Sequence, residues 1–140
     1  MKRMLVTLTG LAAIALIAVA VAVAAAPRSA TVLIRHEVQH CHSWSFNGGA
    51  FGASARGTIA KGGTISFKNN DVMPHMVFQK SGPKVVFQGS RAMSHMGATL
   101  KVVFRTAGVY VFGTKPGEDY MKGVKTVGAD NVLTLKITVR

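Results

Sequence analysis

Beyond residue 26, apolar and polar positions alternate with a period of two, the spacing that sends successive side chains to opposite faces of a strand. The clearest run is Asn131 to Arg140. There Leu133, Leu135, Ile137 and Val139 face one way and Thr134, Lys136 and Thr138 the other. Ile65 and Phe67 share a face within Thr64–Lys68, and Leu100, Val102 and Phe104 share one within Thr99–Phe104. Gly62-Gly63 and Ala107-Gly108 punctuate these runs as turns, and Val109 to Phe112 returns as a further strand. Helical periodicity is nearly absent. Short strands separated by Gly, Asn, Pro and Ser predict an all-β sandwich or barrel.

The run from Val32 to Phe46 reads as one long first strand. Val32, Ile34, His36, Val38, His40, His42, Trp44 and Phe46 occupy its apolar face, so period-two geometry turns His40 and His42 toward the core. A bulge in so long a run would change which of His40, Cys41 and His42 point together. His36 sits mid-strand, away from the other histidines, and reads as structural or surface.

The N-terminal pattern is different. Lys2 and Arg3 precede an uncharged apolar stretch, Met4 to Ala26, that ends in small residues. This reads as a secretory signal over residues 1–26, cut at or just before Ala26, followed by one domain over 27–140. The same stretch is long enough to span a bilayer, so an uncleaved membrane anchor helix is the rival. Either reading places the domain outside the cytoplasm: periplasmic, secreted, or held on the outer face of the membrane. Cys41 is the only cysteine, which excludes an internal disulfide. Formal net charge is +12, of which Lys2 and Arg3 supply two. The excess favours anionic partners, either an acidic protein or an anionic membrane or wall surface. The basic residues are spread along the chain without an arginine-rich cluster, so nucleic acid is not expected.

Histidine and methionine carry the candidate chemistry. The five histidines are His36, His40, His42, His75 and His95. Two Met-x-His-Met motifs occur, Met73-Pro74-His75-Met76 and Met93-Ser94-His95-Met96, and Met121 follows later. Imidazole with thioether suits copper, Cu(I) especially, while zinc would use the His and Cys and leave the methionines unexplained. A single motif of this kind is more often core filling. Two copies beside His40-Cys41-His42 favour a metal.

The segment Ala60–Phe78, with a Gly turn, a strand, Asn, then Pro74-His75, resembles the ligand segment of small blue copper proteins, the cupredoxins of the amicyanin and plastocyanin kind. Lys101–Phe112 resembles the hairpin leading to that family's ligand loop. The resemblance covers about residues 58–122 and implies a Greek-key β-sandwich in which His75 is a copper ligand. The loop departs from it. Thr114 stands where the family has cysteine, and Gly117 where it has a second histidine. A standard thiolate site cannot be built from that loop. The family's topology would gather the first strand's end, the Pro-His turn, the segment around residues 93–96 and the final hairpin at one pole. The expected ligands are therefore His40, Cys41, His42, His75, Met73, His95, Met96 and Met121, with copper as the cofactor. The expected role is extracytoplasmic electron transfer or copper carriage, with an acidic redox or copper-transfer partner. The alternative is a metal-free interaction module on the same fold. An enzyme is not expected: no Ser/His/Asp set, phosphate loop or paired carboxylates appear.

Overall fold

The computed structural model describes residues 24–37, 42–116 and 133–140. The signal or anchor at residues 1–26 therefore lies almost wholly outside the described residues, as do His40, Cys41 and Met121.

The described residues form ten strands and no helix: β1 Ser29–Arg35, β2 Ser43–Phe46, β3 Ser54–Ile59, β4 Thr64–Asn69, β5 His75–Ser81, β6 Val86–Gln88, β7 Ala92–Met93, β8 Thr99–Val103, β9 Gly108–Pro116 and β10 Thr134–Val139. They pair into two five-stranded sheets, ordered β2-β1-β4-β8-β6 and β3-β10-β9-β5-β7. Most neighbours are antiparallel. Two joints are parallel, β1 with β4 and β3 with β10. This is the Greek-key sandwich that the alternation and the resemblance imply.

The inward faces are those the alternation assigned. Ile65, Phe67, Leu100, Val102, Leu135 and Ile137 are fully buried. Phe67 and Phe112 pack at 5.8 Å between ring centroids, and Phe104 stands edge-on to Tyr110 at 5.0 Å. Such offset and edge-on pairs are the favoured aromatic geometries. Trp44 is fully buried against Phe67, an anchor of the core.

One element differs from the sequence expectation. Val32 to Phe46 is not a single strand. β1 stops at Arg35, the chain reverses, and β2 returns antiparallel, with Val32 opposite Phe46 and Ile34 opposite Trp44. The reversal pairs even positions with even, so Val32, Ile34 and Trp44 all remain inside. It also moves His36 from mid-strand to a strand end.

Candidate metal centre

The ends of β1 and β4 meet at one pole. Asn70 N donates to Ile34 O at 2.7 Å, Asn69 N to Ala98 O at 2.9 Å and Gly97 N to Asn69 O at 2.6 Å. Here the chain leaves β4 through Asn69-Asn70-Asp71-Val72-Met73-Pro74 and enters β5 at His75. Two successive Asx turns shape this link. Asn69 Oδ1 accepts from Asp71 N at 2.9 Å, and Asp71 Oδ1 accepts from Met73 N at 3.0 Å. Asn and Asp side chains favour such turns because they satisfy the backbone two residues on. Pro74 then holds the chain extended into β5.

Asn69 is fully buried and acts as a clamp. Its Nδ2 donates to Met73 O at 2.8 Å and Met93 O at 3.1 Å, and lies 3.4 Å from His95 O. One amide thus joins the backbones of both Met-x-His-Met motifs, which are also strand neighbours, His75 opposite Met93.

Asp71 stands at the centre. Its Oδ2 lies 2.9 Å from His42 Nδ1 and 3.1 Å from His75 Nε2. The His42 and His75 rings are edge-on, with centroids 4.9 Å apart. All three side chains are buried. Burial works against the charge on Asp71, but the Met73 amide, then His42 and His75, outweigh it and hold the carboxyl below its ordinary 3.8. Burial acts on His75 in the opposite sense to the Asp71 contact and, aided by repulsion from His42, lowers it from 6.5. The carboxylate is therefore ionised and His75 neutral near pH 7. An ionised carboxylate only accepts, so the nitrogens facing it carry the protons. That leaves His75 Nδ1 as a bare lone pair, and it is buried without a hydrogen-bond partner. An unmet buried polar atom costs about 1–3 kcal/mol. His36, exposed at the end of β1, lies with its ring 6.0 Å from His42. Ligand atoms of His36, His42 and Asp71 fall within 4.8 Å of one another.

The expected ligands thus divide. His42 and His75 come together in the interior. Met73 is half-buried on the linking loop and gives its backbone to the turn. His95 and Met96 are exposed, His95 beside Ser94 Oγ at 3.2 Å. His40, Cys41 and Met121 lie outside the described residues. Asp71 and Asn69 were absent from the expected set, although the Asn-x-Asp-x-Met-Pro spacing carries the Asx-turn signal. His36 was set apart because a continuous strand would have held it away; the reversal after Arg35 brings it beside His42.

On β9, Thr114 pairs with Val77, and His75 pairs with Pro116. Thr114 is buried with its Oγ1 unpartnered. His75 and Thr114 therefore sit on adjacent strands at one pole, within the two-sheet order already described.

The described part of the chain is an all-β sandwich of two five-stranded sheets.

No family model matches the chain, and no curated protein matches it. Among solved structures it is similar to a chain of a heme-copper terminal oxidase dimer, at 18% identity and TM-score 0.45 over 81% of this chain; it spans 65% of that chain's length. It is similar to the purple cupredoxin from Nitrosopumilus maritimus, at 17% identity and TM-score 0.46, covering 79% of this chain and 98% of that one. The third is oxidised plastocyanin from Dryopteris crassirhizoma, at 13% identity and TM-score 0.45, covering 79% and 99%. At these values the likeness is one of chain path, and no residue or ligand is carried across.

The donor set decides what metal the pole could take. A blue copper site needs a thiolate with two imidazoles. Among the described residues the imidazoles are present and the thiolate is not. Two imidazoles, with an ionised carboxylate behind them, still fit copper(II), since imidazole is a good copper donor.

Proposed function

We propose that the chain is an exported copper-binding module that serves in electron transfer or copper carriage outside the cytoplasm, as a carrier and not a catalyst. The observation that carries this reading is the state of His75. One ring nitrogen is tied to a buried carboxylate, and the other is a buried lone pair without a partner. Metal-ligating histidines have this form, with a carboxylate behind the ring fixing the tautomer and raising the basicity of the ligating nitrogen. His75 and His42 would hold the ion, with Asp71 orienting both rings and His36 at the exposed side. Bound copper would supply a one-electron couple. The protein would supply a closed pole, fixed tautomers and a negative charge that offsets the cation.

The test is copper titration of the purified full chain, with optical and electron paramagnetic resonance spectra. One copper(II) per chain is expected, with nitrogen hyperfine coupling that is lost in His75→Ala. Wild type that takes up no copper, or a His75→Ala variant that binds as tightly, rejects the reading. An intense thiolate charge-transfer band that vanishes in Cys41→Ser would add Cys41 to the ligands.

A metal-free interaction module is the second reading. Thr114 in the cysteine position supports it, as does the mutual satisfaction of Asp71, His42 and one face of His75 without a metal. It expects a His42→Ala/His75→Ala variant to keep its biological activity in the host.

A further inference from the structure

The pole opposite the metal centre has a different chemistry. Backbone hydrogen bonds draw four segments together there. Thr64 N donates to Arg28 O at 2.9 Å, Ala60 N to Pro27 O at 2.8 Å, Lys61 N to Arg140 O at 2.9 Å and Gly62 N to Phe104 O at 2.7 Å. Each of these segments ends in a cation. Arg28, Lys61, Arg105 and Arg140 are all exposed on this one surface. None has a carboxylate partner among the described residues. The two described acids, Glu37 and Asp71, lie at the other pole, Glu37 paired with Arg35 and Asp71 enclosed by histidines.

The same pole is where the apolar N-terminal segment departs. Ala24, Ala25 and Ala26 line a groove with Arg28, Ala60 and Arg140. Residues 4–26, which lead into it, carry no charge and are long enough to cross a bilayer. A chain anchored by that segment would meet the membrane surface at this pole and no other. β1 and β4 both run from this pole to the metal centre, a separation of about 20 Å at the usual rise per residue.

We infer that the Arg28, Lys61, Arg105 and Arg140 pole is a docking surface for anionic phospholipid headgroups, which stands the domain on the membrane with its His42–Asp71–His75 centre facing away. The occupant follows from charge complementarity and from the point at which residues 4–26 leave. Cations beside a membrane-spanning segment are drawn to anionic headgroups, each raising association roughly fivefold within a Debye length. The pole that holds the buried centre would then face away from the membrane, open to a soluble partner. This inference is independent of which metal, if any, the centre holds.

The test uses the full chain in the Cys41→Ser background, reconstituted in vesicles of phosphatidylcholine alone or mixed with phosphatidylglycerol. A fluorophore is placed at Ala107→Cys, on the exposed turn beside the basic pole, or at Val72→Cys, which is 76% exposed at the metal pole. A nitroxide on the headgroups quenches by proximity. Phosphatidylglycerol is expected to raise the Ala107-to-Val72 quenching ratio several-fold, and added salt to reverse the rise without any substitution. Arg28→Glu/Lys61→Glu/Arg105→Glu/Arg140→Glu should abolish the rise. Arg56→Glu/Lys136→Glu, placed on the outer face of the β3–β10 pair, should leave it intact. A ratio that ignores phosphatidylglycerol and salt, or that falls equally in both variants, overturns the proposal and leaves the pole to an acidic protein or to no ligand.

Discussion

Asp71 does two jobs that pull against each other. It must be buried to hold two imidazoles, yet burial opposes its charge. The Asx turns resolve the conflict, because the Met73 amide reaches the second carboxylate oxygen while Oδ2 serves the rings. Asp71→Asn keeps the shape but removes the charge and puts a donor where an acceptor was needed. Copper affinity is expected to fall about 10–100-fold, the usual effect of losing a partner behind a ligand, as measured by competition titration. The metal-free protein should also be acid-sensitive in two stages. Both Asp71 and His75 are held below their ordinary values. The unfolded chain therefore takes up protons that the folded chain refuses, and stability falls as pH falls. The His75 contribution is intact above 6.5 and is lost below it; the Asp71 contribution is lost only below 3.8. Urea midpoints in metal-free buffer at about pH 7.5, 5.5 and 3.5 should decline in that order. A flat profile between the first two would mean that His75 does not enter the fold neutral.

At the scale of elements, side chains add to the backbone ties at the metal pole, whereas the ties described at the basic pole are backbone ones. Asn69 alone joins the β4–β5 link to the β7–β8 link. Asn69→Ala would leave the Asp71 amide and buried carbonyls unmet, at about 1–3 kcal/mol for each group without water. It should lower the unfolding free energy and weaken copper binding together, although Asn69 is not a ligand. Gly63 is the counterpart at the basic pole. A Cβ there would meet Ala60 O at 2.7 Å and Arg28 O at 2.8 Å, both backbone atoms that cannot step aside cheaply. Gly63→Ala is expected to cost about 2–3 kcal/mol, as overpacked sites do, in denaturant unfolding. Copper binding per folded molecule should be unchanged, because the turn lies at the far end of β4.

For the whole molecule, the two parallel joints are long-range closures. β1 meets β4 across the β2–β3 excursion, and β3 pairs with β10 from the far end of the chain, Ser54 opposite Thr134. Long-range closures spend chain entropy before contacts return it. Refolding followed by Trp44 fluorescence should fall in the range of about milliseconds to seconds typical of β-sandwiches. Microsecond folding would be inconsistent with this topology.

The strands β4, β8, β9 and β10 were legible in the sequence, because period-two alternation is a local property, and the core it defines closed as expected at Phe67, Leu100 and Leu135; β3, β6 and β7 were not, being too short or too polar to show a pattern. Turns at Gly62-Gly63 and Ala107-Gly108 were legible for the same reason, as was the uncharged run of residues 4–26. His42 and His75 could be named as ligand candidates from residue type and from the Pro-His segment. Their meeting at Asp71 could not. Alternation specifies which face a side chain takes, not where the chain turns back, and a reversal that sets Val32 against Phe46 preserves parity and leaves no mark on the pattern. That reversal decided that His36 approaches His42. The pairing of β5 with β7 and the grip of Asn69 decided that the two Met-x-His-Met motifs lie side by side, yet left His95 and Met96 on the surface. The His42–Asp71–His75 cluster and the basic pole are both meetings of residues far apart in the chain, and only the closed sandwich brings such residues together.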